Sequence, residues 1–208
     1  MLDVTEIFHS LQGEGPFSGQ PAVFIRLSGC IEPLCPWCDT MYACDTGYSM
    51  SQDEAYRKIV TFSTNLIVIT GGEPFLQWRN GLKQLEAKLL DQGYRVQYET
   101  SGKIEIPGDS KGFSVCSPKF LDGRWVFDES NLKRAQVFKF VVDNDFDIIK
   151  AFIQRHGISP ELVFIMPKGI SRKEQLDKFE DSWSFCLENG FHFSPRLHVL
   201  AFNNKRGV

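Results

Sequence analysis

Three cysteines crowd one short stretch of the 208-residue chain, since Cys30, Cys35 and Cys38 fall within nine residues. Thiolates this close together suit a soft metal centre, which means an iron–sulfur cluster or zinc. A closed zinc site needs four protein ligands, and His9 and Cys44 could complete one. A plant-type ferredoxin has the same spacing, and it also needs a fourth cysteine. If no fourth cysteine joins, three thiolates on a four-iron cluster leave one iron open to bind a small molecule.

Two further segments could take part in chemistry: residues 70–74, Thr-Gly-Gly-Glu-Pro, and residues 99–102, Glu-Thr-Ser-Gly. Each follows a short apolar run, as the cysteine loop does. Adjacent glycines let the backbone approach a ligand closely. If the apolar runs are parallel strands, all three loops lie at the carboxyl ends of the strands, where such folds bind ligands. The sequence therefore predicts one site built from the three loops.

The elements that must position these loops alternate between apolar strands and amphipathic helices. Strands that are apolar throughout and separated by helices are typical of a parallel sheet covered by helices. We predict helices over residues 52–62, 77–90, 146–156 and 172–188, and strands over residues 22–27, 66–69, 95–98, 112–115, 137–142 and 162–165. Because about six units are too few for an eight-unit barrel, the predicted fold is α/β, a partial (open) β/α barrel of parallel strands with helices outside.

Composition and charge exclude several classes of partner. The chain has 23 basic and 26 acidic side chains, a net charge of −3 and 42% apolar residues. This balance provides no basic surface for a long nucleic acid or an anionic membrane. The N-terminus has acidic residues where a signal peptide needs basic ones, and no apolar run is long enough to cross a bilayer. We therefore expect a cytoplasmic protein whose thiols stay reduced.

Several longer motifs of the sequence resemble those of known protein families. A cysteine triplet after the first strand and Gly-Gly-Glu-Pro after the second resemble the radical S-adenosylmethionine (SAM) superfamily. More narrowly, the chain is similar to the 7-carboxy-7-deazaguanine synthase family in EIFHSLQGEGP at 6–16, FIRLSGC at 24–30, CPWCDT at 35–40 and SPRLHVL at 194–200. One departure is the gap between the first two cysteines, which has four residues, 31–34, where the superfamily usually has three. Members of this family vary that gap.

The resemblance implies a single radical SAM domain over residues 1–208. Residues 1–21 would be an N-terminal substrate-binding extension, and residues 190–208 a C-terminal segment that closes the site. Cys30, Cys35 and Cys38 would hold a [4Fe-4S] cluster whose open iron binds SAM, the source of a deoxyadenosyl radical. The other implied SAM contacts are Trp37, Asp39, Gly71, Gly72, Glu73, Ser101, Ser117, Lys119 and Met166. Glu73 is expected to be a structural or ribose-side contact rather than an acid catalyst.

The implied reaction converts 6-carboxy-5,6,7,8-tetrahydropterin to 7-carboxy-7-deazaguanine with loss of ammonia, in 7-deazapurine (queuosine-type) biosynthesis, and regenerates SAM. The pterin edge needs an acceptor for its N–H groups, which Glu14 would provide, and an amide that can both donate and accept, which Gln12 would provide. The substrate carboxylate needs a bidentate cation, which Arg26 could provide. The other implied substrate contacts are Leu11, Gly13, Thr70, His198 and the terminal carboxylate of Val208. From the residues alone, Arg26 could instead balance the charge of a cluster, and His198 could be a core histidine.

The hydroxyl of Thr40 is implied to ligate Mg²⁺, which also binds the substrate carboxylate. Magnesium accepts a single protein oxygen when substrate and water complete its octahedron. Alternatively, Asp39 and Thr40 cap a local turn. The family further implies a homodimer and an electron donor such as a flavodoxin.

Two alternative functions stay open at this point. One is an activase that makes a glycyl radical in a partner protein, because activases share the triplet and Gly-Gly-Glu-Pro. The other is a non-enzymatic protein, either a ferredoxin-like electron carrier or a zinc-stabilised binding module. A carrier needs a fourth cysteine, for which Cys44 is the nearest candidate.

Overall fold

A mixed β-sheet forms the centre of the protein in the computed structural model, which describes residues 1–203 and 205–208. The strands, in chain order, are β1 Leu2–Leu11, β2 Pro21–Leu27, β3 Tyr48–Met50, β4 Leu66–Gly71, β5 Arg95–Thr100, β6 Phe113–Cys116, β7 Lys119–Leu121, β8 Arg124–Val126, β9 Val137–Val142, β10 Val163–Pro167 and β11 His192–Phe193. Nine of them form one sheet in the order β11-β10-β9-β6-β5-β4-β2-β1-β3, and β7 pairs with β8 in a separate hairpin.

The sheet is parallel from β2 to β11, and antiparallel where β1 pairs with β2 and with β3. It is open, because β3 and β11 stand at opposite edges of the strand order. All six predicted strands are present with small boundary differences, and the predicted open α/β architecture is confirmed. Strand β1 was not predicted, since only Leu2 and Val4 are buried in it and its apolar alternation is weak.

The helices connect the strands of the sheet, and several of them pack against its hydrophobic face. The described residues form α1 Tyr42–Asp45, α2 Gln52–Ile59, α3 Leu82–Asp91, α4 Phe146–His156, α5 Arg172–Leu176, α6 Phe179–Asn189 and α7 Leu197–Phe202, with 3-10 turns at Gly15–Phe17, Pro74–Asn80, Glu129–Lys133 and Pro160–Leu162. In this part of the chain, no helix has the length and apolar character needed to cross a membrane.

Two predicted helices are each broken into two pieces. The helix predicted over residues 77–90 is a 3-10 turn followed by α3, because Gly81 has a φ of 124°, which a helix cannot accommodate. The helix predicted over residues 172–188 is divided into α5 and α6 at residues 177–178. The break lets Phe179, the first residue of α6, pack edge-on against Phe193 of β11 at a centroid distance of 4.9 Å.

The two faces of the sheet have different environments. On the outer face, Leu82, Leu85 and Leu89 of α3 are fully buried, as their one-face spacing predicts. Burial of each such side chain contributes roughly 1.5–3 kcal/mol. On the inner face, the buried side chains of β5 and β9 include Gln97 and Lys139, which are polar. The outer face therefore holds the core, and the inner face is free to form a polar site.

Candidate active site

The inner face holds a cavity of about 630 Å³. The loops that follow β2, β4 and β5 line it, as the strand pattern predicts for the carboxyl ends of parallel strands. Residues 11–14, which join β1 to the first 3-10 turn, also line it, and so do residues 196, 198 and 208 near the end of the chain. The two ends of the sequence therefore meet at the loops of the central sheet.

The three clustered cysteines face this cavity. Cys30, Cys35 and Cys38 are free thiols, each partly exposed, and burial raises the pKa of Cys30. Among the described residues, no three Cys, His, Asp or Glu side chains converge on one point as a single metal ion requires. A four-iron cluster makes no such demand, because each thiolate bonds a different iron. The donor set therefore fits an iron–sulfur cluster better than it fits zinc.

Cys44 also borders the cavity, from α1. Burial, together with the nearby Cys30 and Cys38, raises its pKa to about 11. Cys116 and Cys186, in contrast, are buried in the hydrophobic core. Among the described cysteines outside the triplet, Cys44 is therefore the one that lies close enough to the site for a role in it to be tested.

The glycine pair at the end of β4 allows two loops to touch through their backbones. The amide of Gly72 donates to the carbonyl of Leu27 at 3.0 Å, and the amide of Glu73 donates to the carbonyl of Gly29 at 2.7 Å. A Cβ atom on Gly72 would overlap the Gly29 carbonyl, and one on Gly71 would overlap the Leu27 backbone. The pair therefore holds the start of the cysteine loop directly against β4.

Glu73 is the one predicted SAM contact that lies behind the cavity wall. Its buried carboxylate accepts from Thr100 Oγ1 at 2.7 Å and from the amide and hydroxyl of Ser101 at 2.9 and 2.5 Å. Burial raises the pKa of Glu73, although hydrogen bonds from Ser101 and Thr100 oppose the rise. Glu73 thereby braces the loop after β5 and presents Ser101 to the cavity.

A buried group of charges lines another part of the cavity. Lys139, in β9, places its ammonium 2.5 Å from Glu14 Oε2 and 2.8 Å from Glu99 Oε2, and only 5% of its side chain is exposed. The side-chain amides of Gln12 and Gln97 donate to Glu99 Oε1 at 3.2 and 2.7 Å. Each buried charge thus has a partner, which is the condition for keeping charges out of water.

The two carboxylates of this group differ in the direction of their pKa shifts. Burial acts to raise the pKa of Glu14, but the charges of Lys139, Arg196 and His198 outweigh it and hold that pKa well below its usual value. At Glu99 burial dominates and raises the pKa, despite the neighbouring ammonium. Glu14 is therefore a fixed anion in the cavity wall.

Arg196, just before α7, joins three segments of the site. Its Nε donates to Glu14 Oε1 at 2.9 Å, its Nη1 donates to the Gly169 carbonyl at 2.8 Å, and its Nη2 donates to the carboxylate of Asp39. His198 Nε2 lies 3.4 Å from the same Nη2, and burial lowers the pKa of this imidazole. The guanidinium thus links the N-terminal segment, the cysteine loop and the end of the chain.

Arg26 projects from β2 beside the cysteine loop. Its Nε donates to Glu6 Oε1 at 2.6 Å, and the hydroxyl of Tyr42 donates to the same oxygen at 2.9 Å. Its guanidinium also lies over the ring of Phe8, 5.8 Å from the centroid. The hydrogen bonds of the described residues leave its two terminal nitrogens available to a carboxylate in the cavity.

Thr40 and Asp39 occupy different positions after the last cysteine of the triplet. The hydroxyl of Thr40 lies 3.5 Å from Cys38 Sγ and borders the cavity. The carboxylate of Asp39 is paired with Arg196. Thr40 therefore presents one hydroxyl oxygen to the cavity, the kind of ligand that Mg²⁺ accepts when water and substrate complete its octahedron.

Every predicted site residue except Glu73 borders the same cavity. Those not yet placed are Leu11, Gly13, Trp37, Thr70, Ser117, Lys119, Met166 and Val208. The structure brings these residues together from distant segments, and the role of each stays a prediction.

Sequence analysis assigned no individual role to several charged residues of the cavity wall, among them Glu99, Lys103, Lys139 and Arg196. A signal existed for Lys139, because it is the charged residue inside the apolar run at 137–142, where a buried charge needs a partner. Arg196 stands inside the motif at 194–200, but nothing in the spacing connects it to Glu14, 182 positions earlier.

Comparison with known proteins decides the family. The profile of the radical SAM superfamily matches residues 25–105, which contain the cysteine triplet and Gly-Gly-Glu-Pro. The chain is 36% identical to the 7-carboxy-7-deazaguanine synthase of Hyperthermus butylicus, over 97% of this chain and 93% of that protein. It is 37% identical to the protein of the same name from Pyrobaculum aerophilum, over 98% and 96%. The chain belongs to the 7-carboxy-7-deazaguanine synthase family.

A solved structure supports the same assignment to the 7-carboxy-7-deazaguanine synthase family. The crystal structure of QueE from Escherichia coli superposes with a TM-score of 0.80 at 26% identity, over 95% of this chain and 94% of that one. Streptococcus suis SuiB bound to its precursor peptide SuiA, at 12% identity and a TM-score of 0.54, shares the fold only. The predicted family and fold are thus confirmed. As a family member, the chain is a radical SAM enzyme that uses a [4Fe-4S] cluster and SAM, and the triplet fits such a cluster.

Proposed function

We propose that this chain contracts the ring of 6-carboxy-5,6,7,8-tetrahydropterin to 7-carboxy-7-deazaguanine with loss of ammonia, using SAM catalytically. When bound, the cluster and SAM supply the deoxyadenosyl radical that takes a hydrogen atom from C6. The residues of the chain bind and orient the reactants and exclude water. The observation that carries the proposal is one cavity in which the cysteine triplet and the fixed anion Glu14 both stand.

Glu14 and Gln12 are proposed to bind the pterin edge. The carboxylate of Glu14 has lone pairs beyond those that Lys139 and Arg196 use, so it can accept hydrogen bonds from the N–H groups of a pterin. Gln12 is buried beside it, and the side-chain carbonyl of Gln12 accepts a hydrogen bond from the backbone amide of Glu14 at 3.3 Å. The position of His198, 3.9 Å from Glu14 Oε1, supports a contact with the same edge.

The opposite end of the substrate carries a carboxylate, and Arg26 and Thr40 are proposed to bind it. The free terminal nitrogens of Arg26 match a bidentate carboxylate contact. Thr40 would supply one ligand to Mg²⁺, and the substrate carboxylate would supply another. Thr70, at the end of β4, pairs in register with Arg26 of β2, which supports its place among the substrate contacts.

The cysteine side of the cavity is proposed to hold SAM. Cys30, Cys35 and Cys38 would bind the cluster, and Gly71 and Gly72 would offer backbone carbonyls to the SAM ammonium. The remaining contacts proposed for SAM are Trp37, Asp39, Ser101, Ser117, Lys119 and Met166. Glu73 would act indirectly, since its carboxylate holds Ser101.

The two chain ends are proposed to complete the site within a single domain. Residues 1–21 would serve as the substrate-binding extension, which the position of Glu14 supports. Residues 190–208 would close the site, which the hydrogen bonds of Arg196 to Glu14 and Asp39 support. Leu11, Gly13 and Val208 border the cavity in these two segments.

A homodimer and an electron donor such as a flavodoxin are part of the same proposal. Three large apolar side chains on α5 and α6 are exposed: Leu176 by 53%, Trp183 by 60% and Leu187 by 78%. Exposed apolar surface of this kind supports an interface between copies. Light scattering of the parent and of Trp183→Glu tests it, since the charged variant should dissociate.

The experiment that tests the proposed function is anaerobic reconstitution with iron and sulfide, followed by incubation with reductant, SAM, Mg²⁺ and 6-carboxytetrahydropterin. We expect 7-carboxy-7-deazaguanine by mass spectrometry, without stoichiometric consumption of SAM. Cys35→Ala should lose both cluster and product. Cys186→Ala, a core cysteine outside the cavity, is the matched control and should keep both. Deoxyadenosine without pterin turnover would refute the substrate assignment.

Cys44→Ala distinguishes the proposal from an electron carrier. If three thiolates hold the cluster and one iron stays open, the variant should retain the iron content of the parent after reconstitution. A four-cysteine site predicts loss of the cluster from Cys44→Ala, and that outcome would reject the open-iron mechanism.

A further inference from the structure

Lys103 makes an unusual set of contacts with the cysteine loop. It follows β5, and its Nζ donates to the carbonyl of Ile31 at 3.2 Å and to the carbonyl of Pro33. The same Nζ lies 3.9 Å from Cys35 Sγ. An ammonium has three donors, so two are used by backbone carbonyls and the third faces a thiol of the triplet.

The two carbonyls belong to the four-residue gap between Cys30 and Cys35, which is one residue longer than the usual superfamily gap. Within this turn, the other hydrogen bond found among the described residues is local, from the Leu34 amide to Glu32 Oε2 at 2.9 Å. Lys103 therefore provides the hydrogen bonds that attach the turn to the sheet. Without it, the turn that precedes Cys35 would keep only the local hydrogen bond between Leu34 and Glu32 among those described.

A second cation, Lys119, interacts with the charge of Cys35, but its hydrogen bond in the described part of the chain goes to Ser117 and not to the turn. Lys119 also borders the cavity, but its Nζ donates to Ser117 Oγ at 2.6 Å. Burial lowers the pKa of Lys119, and the charge of Lys103 contributes to that decrease. Of these two cations, Lys103 is the one that both donates to the turn and has its ammonium 3.9 Å from Cys35 Sγ.

We propose that Lys103 is a positioning residue that fixes the lengthened turn and places its positive charge beside Cys35. Net charge and hydrogen bonds to the sulfur ligands set the reduction potential of an iron–sulfur cluster. A cation at this point favours the reduced cluster and so raises its potential. The inference rests on the cluster-binding role proposed above, but it does not depend on which substrate the enzyme uses.

The test compares the reconstituted parent with Lys103→Met, Lys103→Gln and Lys103→Arg. The reduction potential is measured by reductive titration followed by electron paramagnetic resonance, and iron release is measured with a chelator. Lys150→Met is the control, because this exposed lysine lies on α4, outside the cavity. Circular dichroism of the cluster-free variants checks that each is folded.

We expect Lys103→Met and Lys103→Gln to shift the potential to more negative values, and Lys103→Arg, which keeps the charge, to stay closer to the parent. Iron release from Lys103→Met should be about tenfold faster, as expected when one or two hydrogen bonds are lost. A merely structural lysine would speed iron release without moving the potential.

The proposal is overturned if the potential of Lys103→Met equals that of the parent and of Lys150→Met. A parent that takes up no iron would overturn both this inference and the proposed function. A parent whose potential responds to Lys103→Met, but which leaves the pterin unchanged, would support the inference while the substrate assignment fails.

Discussion

Glu14 takes its charge state from cations that lie far away in the sequence. Lys139 reaches it from β9, and Arg196 reaches it from the last twenty residues of the chain. Hydrogen bonds to a charged group contribute about 1.5–3 kcal/mol each, so this carboxylate stabilises the fold as well as the site. The stabilisation depends on pH, because the pKa of Glu14 is held below its usual value.

We expect Glu14→Gln to lower the free energy of unfolding of the cluster-free protein by about 2 kcal/mol at pH 7. A carboxyl group with a lowered native pKa stabilises the fold above its unfolded pKa of about 4.3, and the effect is lost as pH falls through the native pKa. The difference between parent and variant should therefore be constant from about pH 7 to 8 and shrink below about pH 4.3. Urea unfolding at a series of pH values measures it.

The matched control is Glu161→Gln, because Glu161 is exposed and lies outside the cavity. It should change the unfolding free energy by less than about 0.5 kcal/mol. A Glu14→Gln effect that grows as the solution becomes more acidic would contradict the lowered pKa.

Sequence analysis predicted Glu14 but not its partners, and the reason is physical. Glu14 stands in a local motif, whereas Lys139 and Arg196 act through contacts that only the folded chain creates. Lys139 could still be noticed in the sequence, since a charge inside an apolar strand must be neutralised. For Arg196 the sequence offered no signal beyond its place in the motif at residues 194–200.

At the scale of elements, the junction between β2 and β4 carries the greatest steric constraint in the site. Backbone hydrogen bonds cross it from Gly72 to Leu27 and from Glu73 to Gly29, with no space for a side chain between. The apolar runs predicted these two strands, but their direct backbone contact needed the structure. Strand β1 also became evident only from the structure, because its half-buried residues show too little apolar alternation to predict a strand.

We expect Gly72→Ala to destabilise the cluster-free protein by about 3 kcal/mol, the upper end of the range for overpacking. The added Cβ must push the Gly29 carbonyl away and move Cys30 with it. Urea unfolding measures the stability, and iron content after reconstitution should fall in parallel.

Gly108→Ala is the control for this substitution. The nearest atom to its added Cβ would be Arg134 Nη2 at 3.7 Å, an ordinary contact. It should change stability by no more than about 0.5 kcal/mol. Equal iron content in Gly72→Ala and Gly108→Ala would argue against the close backbone contact.

At the scale of the whole molecule, the chain ends complete a cavity that the parallel strands begin. Val208 borders it, and the guanidinium of Arg206 lies 3.9 Å above the ring of Tyr42. The fold class followed from the alternation of strands and helices, because that pattern is local. The convergence of both termini did not follow from it, because contacts between distant segments leave no periodic signal.

Removal of residues 205–208 should raise KM for the pterin substrate about tenfold, the effect of losing about 1.4 kcal/mol of binding. The kcat should change little, because the proposed role of Val208 is to bind the substrate and not to hold the cluster. Steady-state kinetics with saturating SAM measures both constants. Lys205→Ala, which removes an exposed side chain and keeps the terminus, should leave KM unchanged. A fall in kcat at constant KM would contradict a contact between residues 205–208 and the bound substrate.

The 182 positions between Glu14 and Arg196 also bear on the order of events during synthesis. Gly72, Glu73 and Lys103, which contact residues 27–35, all lie within the first half of the chain. The ion pairs of Glu14 need Lys139 and Arg196, which are synthesised after that half. Under the roles proposed above, the cluster-binding segment can therefore make these local contacts before the partners of the substrate-binding carboxylate have been synthesised.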